Sequence, residues 1–506
     1  MFEKLLKIYS WKILAIITGV LSVLLVVPYL SSNKELYGIY LFVSSLTVFL
    51  TYGDFGFLTA GQKFAGEAFS RNDKDSEYQI LGFTFYVFLI FTGIFSFLAL
   101  LSCFKPSLFF SDLNPNNIYI LRGLLLVYGV IFPINLLFQK IYSSVLSIRL
   151  KEFKAYRLEV LANIAKSLSV LLFFKDGNYL IVEFVLFGQI MNLLVALVVL
   201  KNLRLKEDFH LNLLLRKIRY SKEMYFILKD LALSTLLSTI AWILYYELDL
   251  FYLGLWSSSN VVATYGVCIV LLNFVRSLWN IYYGPVFHLF NPLVVNNHPS
   301  WKEMFKTMLA IGIVLNFVFS CFLVLNAERV IIYWLGLEYL NSIQILQILM
   351  IYSFTFSLIQ PLNFLATILN EFKFIRNSSI FLIILFSFTA LVLVPGSEGL
   401  GLAISKSITS LIFTVLLLVK FTDTLNFKLS WSIILKFIPL TLLIILPQLL
   451  IDAYFIDSNS QSYSSLIVLI LCCFIYFLLI IFTLYFTAPH FRRDLKFLFN
   501  SLKNIE

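Results

Sequence analysis

Apolar runs, each close to the roughly 20 residues that carry a helix across the hydrocarbon core, alternate with short polar breaks along the chain. Fourteen such runs lie near 11–30, 36–58, 80–104, 118–139, 158–174, 179–200, 231–256, 261–290, 307–326, 341–369, 379–395, 400–420, 433–451 and 464–487. The fifth and eleventh, at about 17 residues, sit at the lower limit for crossing. The eighth and tenth are long enough to tilt or to project beyond the bilayer. The first run leads into Tyr29 to Lys34 rather than a small-residue cleavage site, so it reads as a retained span. The pattern predicts an all-α, polytopic integral membrane protein with fourteen transmembrane helices.

Composition excludes a soluble alternative. Hydrophobic residues make up 60% of the 506 positions and charged residues only 13%, whereas soluble domains keep about a quarter of their residues charged. The net charge of +10 is not a nucleic-acid signal, because it follows the spans. With the N-terminus inside, the cytoplasmic breaks hold 30 of the 38 Lys and Arg residues. The opposite side holds Lys34, Lys105, Arg122, Lys175 and Arg329. This asymmetry predicts that both termini are cytoplasmic. The five cysteines, Cys103, Cys268, Cys321, Cys472 and Cys473, fall in or at the ends of apolar runs without metal-ligand spacing. They read as small buried hydrophobes. His288 and His298 form no ligand cluster, so no metal role is assigned.

The breaks divide the chain. The most basic one, Lys201 to Asp230, contains HLNLLLRKIR over His210 to Arg219. There Leu211, Leu214 and Leu215 oppose Arg216, Lys217 and Arg219, which suits either a helix lying on an anionic membrane surface or a solvated linker. The expected organisation is an N-terminal lobe over 1–203, a basic linker over 204–230, a C-terminal lobe over 231–421, and two further spans with a cytoplasmic tail over 422–506. Tyr37-Gly38 and Tyr265-Gly266 stand at matching places after short outer loops, an internal echo expected of repeated transporter halves. Every outer loop is short, so function must operate within the bilayer or at its surfaces.

A charge in mid-bilayer costs at least about 2.5 kcal/mol, and asks for a partner or a wet cavity. Lys166 lies eight residues into the fifth run, about 12 Å deep, where it either lines a cavity or pairs with an acid such as Glu159. Arg276 lies in the eighth run with Asn273, Ser277 and Asn280 at helical spacing, a polar stripe that suits a cavity wall. Arg122 and Lys406 lie about a turn from the outer boundary, within reach of water by snorkelling. Among the acids, Asp54 ends the second run, and Glu247 and Asp249 lie toward the outer end of the seventh. Two residues apart, these last face different directions on a helix. Pro133, Pro285 and Pro361 interrupt apolar helices and provide bending points.

The segment YGIYLFVSSLTVFLTYGDFGFLTAGQKFAGEAF, with Tyr37-Gly38 and Asp54-Phe55-Gly56, resembles the start of Wzx-type polysaccharide flippases of the MOP superfamily. ELDLFYLGLWSSSNVVATYGV, GLEYLNSIQILQIL and LVLVPGSEGLGLAIS are similar to later passages of that family, so the resemblance spans most of 1–420. Gly401-Leu402-Ala403 departs from it, standing where two adjacent small residues are usual. The resemblance implies a MATE-like fold of two six-helix lobes around a central cavity, plus two C-terminal helices. It also implies outward movement of undecaprenyl-diphosphate-linked oligosaccharide by alternating access, in a bacterial plasma membrane, for O-antigen, capsule or exopolysaccharide assembly. Membrane lipids and a polysaccharide polymerase with its chain-length regulator are the implied partners, and no nucleic acid is.

Lys166, Arg276, Arg122 and Lys406 are the candidate hosts for the two phosphates of such a headgroup, which suits Lys and Arg chemistry. Asp54, Asp249 and Glu247 are candidates for structural pairing or for coupling to a proton or sodium gradient; no other cofactor is implied. Two other classes compete. A polysaccharide polymerase or ligase would present a sizeable catalytic outer loop, which this chain lacks, so no catalytic residue is assigned. A drug or cation antiporter of the same superfamily would need a more acidic or a purely apolar cavity.

Overall fold

The computed structural model describes residues 2–425 except 52, 54, 55, 107, 108, 110–113, 176, 177, 296–300 and 370, together with 465, 467–469, 471 and 472. The expected runs 433–451 and 464–487 lie outside the described residues apart from those last few positions, as does Asp54. All regular structure among the described residues is helical. Among the described residues, eight stretches are long and apolar enough to cross a bilayer: Ser10–Leu30, Lys74–Phe104, Pro115–Ile148, Ile181–Lys206, Ser259–Asn280, Trp301–Leu325, Ser342–Ile368 and Lys373–Thr422. Large apolar side chains line their outer faces, with Phe97 61% and Phe388 65% exposed. That arrangement is stable only against hydrocarbon, and the protein is a multi-pass membrane protein.

The chain forms two compact units, Met1–Ala263 and Thr264–Glu506. In the first, α1 (Phe2–Leu30) packs on α7 (Phe153–Phe173), while α8 (Ile181–Lys206) packs on both α7 and α6 (Phe132–Ile148). The expected second span is broken into α2 (Lys34–Thr51) and α3 (Phe57–Ser70). Gly56 takes the left-handed conformation at φ 78° just before α3, a place where a side chain would be strained. The Lys140 ammonium donates to the Thr51 carbonyl at 3.0 Å and so closes the end of α2. Next, α4 (Lys74–Phe104) starts at Asp73, whose carboxylate accepts from the Ser76 amide at 3.0 Å.

Two expected spans contain π-helical turns. Between α5 (Pro115–Leu126) and α6 the backbone widens over Val127–Ile131, directly before Pro133. The widened turn relieves the clash a proline ring makes with the carbonyl four residues back. The seventh span is discontinuous. α10 (Lys222–Trp242) passes into a π turn over Ile243–Glu247, and a new helix, α11 (Asp249–Trp256), begins after Leu248.

The basic break is not a free linker. Its short helix α9 (Leu211–Lys217) packs on α4, with Leu214 fully buried in the core of this unit beside Leu81, Phe83 and Val145. Gly82 allows the approach, because a Cβ there would lie 2.4 Å from the Lys217 carbonyl oxygen. Leu215, expected on the same apolar face as Leu214, is instead 50% exposed.

The second unit contains most of α12 (Ser259–Val295), then α13 (Trp301–Leu325), α14 (Ala327–Leu335), α15 (Ser342–Ile368) and α16 (Phe372–Leu425). α15 packs on both α13 and α16. α16 is two helices joined across a kink at Glu398, at φ 45°, where the eleventh and twelfth expected spans meet. Gly401 lies against the chain before the kink: a Cβ there would sit 2.3 Å from the Leu393 carbonyl oxygen. Leu402 and Ala403 are fully buried. The glycine alone makes the tight approach, and the larger Leu402 is accommodated in the core.

Candidate functional site

Polar residues on α6 and α7 share one spacing. Asn135, Gln139 and Tyr142 on α6 are separated by four and three residues, and Glu152, at the N-cap of α7, continues into Tyr156, Glu159, Asn163 and Lys166 on α7 at steps of four and three throughout. Steps of three and four keep side chains on one face of a helix. The two stripes meet and form a polar seam within the first unit. Leu161, Leu168 and Leu172 occupy the opposite face of α7 and are 62% exposed or more.

The seam encloses two cavities with shared walls. One, of about 220 Å³, is lined by Asn135, Gln139, Tyr142, Glu159, Asn163 and Lys166 together with Asn192 of α8. The Lys166 ammonium donates to Asn192 Oδ1 at 2.6 Å. Asn135 donates to the backbone and side-chain oxygens of Gln189 at 2.8 and 2.9 Å. The Tyr142 hydroxyl donates to Glu159 Oε1 at 3.5 Å. The other cavity, of about 320 Å³, runs from Glu159 and Tyr142 to Glu152, Tyr156 and Gln62. Lys166 therefore lines a cavity that also contains Glu159, but its ammonium is held by Asn192, and among the described residues no ion pair joins it to Glu159. Asn135, Gln139, Tyr142 and Asn192 escaped sequence reasoning, although the four-and-three spacing on α6 marks three of them.

In the second unit the two candidate cations, Arg276 of α12 and Lys406 of α16, both meet rings of α15. The Arg276 guanidinium lies 5.5 Å from the Phe356 ring centroid and donates to Asn273 Oδ1 at 3.0 Å. The Lys406 ammonium lies 5.1 Å from the Tyr352 centroid. Tyr352 and Phe356 lie one turn apart on α15, with ring centroids 6.1 Å apart. Gln360, one turn further, donates to Asn280 of α12, so the α12 polar stripe does face α15. Lys406 does not snorkel: it is 0% exposed, enclosed between α15 and α16 because the aromatic face of Tyr352 receives its charge.

The remaining candidates are dispersed. Arg122 is exposed on α5 and donates to the Cys103 carbonyl at 3.1 Å. Asp249 is 3% exposed and is the first residue of α11, where the helix dipole favours a negative charge. Glu247 ends the π turn and is half-buried. Among the described residues, no group of three or more His, Cys, Asp or Glu could hold a metal ion.

At the charged end of the first unit, ion pairs tie the break after α8 to the helices around it. Lys151 reaches Glu207 at 2.7 Å, and Lys154 joins the same carboxylate. Asp208 pairs with Lys74, and Lys217 reaches Asp75 at 2.6 Å. Partial burial raises the Glu207 carboxyl, but hydrogen bonds from Lys151 and Lys154 outweigh it and leave the group below its usual range. Hydrogen bonds from Lys74 and then His210 likewise hold Asp208 low. Deeper in, Arg149 pairs with Glu77 at 2.8 Å, both nearly fully buried, and its guanidinium lies 4.5 Å from the Phe69 ring centroid.

No protein-family model matches the chain, and no curated protein sequence matches it. Solved structures share its fold. The lipid II flippase MurJ in an inward closed conformation gives a TM-score of 0.63 at 16% identity, covering 94% of this chain and 98% of that one. An inward-facing multidrug resistance MATE family transporter of the MOP superfamily gives 0.60 at 13% identity, over 83% and 96% of the two chains. A MOP superfamily transporter from Pyrococcus furiosus gives 0.57 at 13% identity, over 84% and 96%. At such identities the likeness establishes the fold: all-helical, polytopic and MurJ/MATE-like.

Proposed function

We propose that this protein is a flippase that carries undecaprenyl-diphosphate-linked oligosaccharide from the cytoplasmic to the outer leaflet of a bacterial plasma membrane by alternating access. The product would feed assembly of a cell-surface polysaccharide. The observation that carries this reading is the polar seam around Lys166, set inside an apolar bundle whose fold is shared with a lipid II flippase. Polar cavities within a membrane bundle are costly to keep unless something polar occupies them. The motif resemblance to Wzx-type flippases supports the substrate class, and the distribution of Lys and Arg supports cytoplasmic termini.

In this reading Lys166, Arg276, Lys406 and Arg122 are the candidate basic groups that meet the polar headgroup, its diphosphate and its sugar together. An inside-negative potential favours outward movement of that anionic head by about 2.3 kcal/mol per charge per 100 mV. Asp249, Glu247 and Asp54 are the candidates for ion coupling. A cation or drug antiporter is the second reading, favoured by the carboxylates of Glu152 and Glu159 in the seam and by the MATE-like fold. Deletion of the gene followed by analysis of lipid-linked intermediates separates the two. Accumulation of complete repeat units on the cytoplasmic leaflet is the expected result. Unchanged polysaccharide export, with increased sensitivity to cationic drugs, would sink the flippase reading and favour the antiporter.

A further inference from the structure

We propose that the cavity between α6, α7 and α8 is a saccharide subsite: it receives a neutral sugar ring of the cargo, not its diphosphate. The inference rests on the flippase reading above and deepens it.

The chemistry of the walls carries the assignment. The ammonium of Lys166 and the carboxylate of Glu159 line the same cavity, so its fixed charges cancel. A diphosphate entering it would meet Glu159 and, through the adjoining cavity, Glu152. An organic cation would meet Lys166. A neutral ligand meets no such opposition, and the rest of the lining suits one rich in hydroxyl groups. Gln139, Asn163 and Asn192 offer amides, each with donors and acceptors, and Tyr142 adds a hydroxyl. Such groups match sugar hydroxyls, which also donate and accept.

A further observation points to a ligand. Asn135 is 5% exposed at the cavity wall and spends its amide N–H groups on Gln189. Its Oδ1 has no hydrogen-bond partner among the described residues. A buried acceptor left unmade is costly, and a hydroxyl donor from a ligand would satisfy it. Size agrees as well. Volumes of about 220 and 320 Å³ with common walls suit one or two pyranose rings and not an extended polyprenyl tail. The buried cations Arg276 and Lys406 of the second unit, seated on Phe356 and Tyr352, then remain as the phosphate candidates.

The test uses the purified full chain in nanodiscs and four probes: farnesyl diphosphate and its glucosyl, galactosyl and N-acetylglucosaminyl derivatives. Affinities are measured for the wild type and for Asn163→Leu and Gln139→Leu, which alter opposite walls so that one misfolded variant does not decide the outcome. At least one glycosylated probe is expected to bind the wild type about tenfold tighter than farnesyl diphosphate, the worth of one or two hydrogen bonds. Each folded variant should lose that advantage and bind bare farnesyl diphosphate as the wild type does. If the wild type prefers no sugar, or if the variants weaken all four probes equally, the subsite is overturned while the flippase reading stands. If the wild type binds none of the four, the flippase reading fails and the subsite fails with it.

Discussion

The Lys406 ammonium lies 5.1 Å from the centroid of the Tyr352 ring, and the lysine is fully shielded from the surroundings. Holding a charge there costs several kcal/mol of desolvation, and the proposed contact with an anionic headgroup would give a reason to keep it. Lys406→Met, an apolar side chain of similar length, is expected to leave the thermal midpoint of the detergent-purified protein unchanged or raised. Polysaccharide export in a complementation assay should nevertheless fall at least about tenfold, a loss of 1.4 kcal/mol in binding terms. A stable variant with normal export would remove Lys406 from the substrate path.

Arg149 and Glu77 pose the opposite case. They form a buried pair at 2.8 Å, with the guanidinium also stacked toward Phe69. Glu77→Leu alone strands a buried cation and is expected to destabilise the first unit by about 3–5 kcal/mol. The double variant Glu77→Leu with Arg149→Met should recover most of that loss. Thermal unfolding of all four proteins in a double-mutant cycle checks it; equal loss in the single and double variants would show that the pair itself, and not its charge balance, supplies the stability.

The anchoring of the basic break has a pH signature. Glu207 and Asp208 both titrate below their usual ranges when folded. A depressed carboxylate contributes stability that is fully present above its unfolded pKa, about 4.3 for Glu and 3.9 for Asp, and is lost as pH falls through the folded value. The attachment of α9 should therefore hold from neutral pH down to about pH 4.3 and weaken below it. Limited proteolysis within 204–222 as a function of pH reads this directly. Glu207→Gln should raise cleavage at pH 7 and reduce its pH dependence, leaving the part that Asp208 and Asp75 supply through Lys74 and Lys217, and a wild type already cleaved freely at pH 7 would contradict the anchoring.

Glycines offer a comparison with a built-in control. A Cβ at Gly38 would lie 1.8 Å from the Ser259 carbonyl oxygen, a backbone atom that cannot swing aside, whereas at Gly188 nothing lies within 4 Å. Gly38→Ala is expected to lower stability by about 1–3 kcal/mol or more, as overpacking does. Gly188→Ala, within helix α8, should gain up to about 1 kcal/mol from helix propensity. Expression level and thermal midpoint of the two variants should move in opposite directions.

What the sequence made legible follows from which physics is local. Span hydropathy is local, so the membrane-embedded, all-helical class could be read directly. Breaks in helices depend on backbone detail: Glu247 and Asp249 mark a polar interruption near the end of the seventh run, but nothing in the sequence says that the helix widens at Ile243 and restarts at Asp249. Lys406 shows a second gap. Its distance from the span boundary suggests snorkelling, whereas it is buried with its ammonium against the Tyr352 ring, a contact 54 residues away in sequence that no span boundary reveals. Lys166 and Glu159 were visible singly, but the cavity they share needs Asn192, which lies 26 residues beyond Lys166 and reaches it only through the packing of α8 on α7.

Asp249 carries the last prediction. It is buried at the first turn of α11, after a π turn that interrupts the seventh span. Broken helices in transporter folds expose backbone groups that bind ions or anionic substrate, and a carboxylate at such a break is a natural cation ligand. If Asp249 couples transport to a proton or sodium gradient, Asp249→Asn keeps its size and hydrogen-bonding capacity but removes the charge. Uptake of a fluorescent lipid-linked sugar into proteoliposomes should then lose its stimulation by an imposed ion gradient, with gradient-free exchange retained. The helix dipole gives a competing outcome, since removing a favourable N-terminal charge costs only about 0.3–1 kcal/mol. A modest drop in thermal midpoint with gradient stimulation intact would assign Asp249 to holding α11 in place, and would leave Glu247 and Asp54 as the coupling candidates.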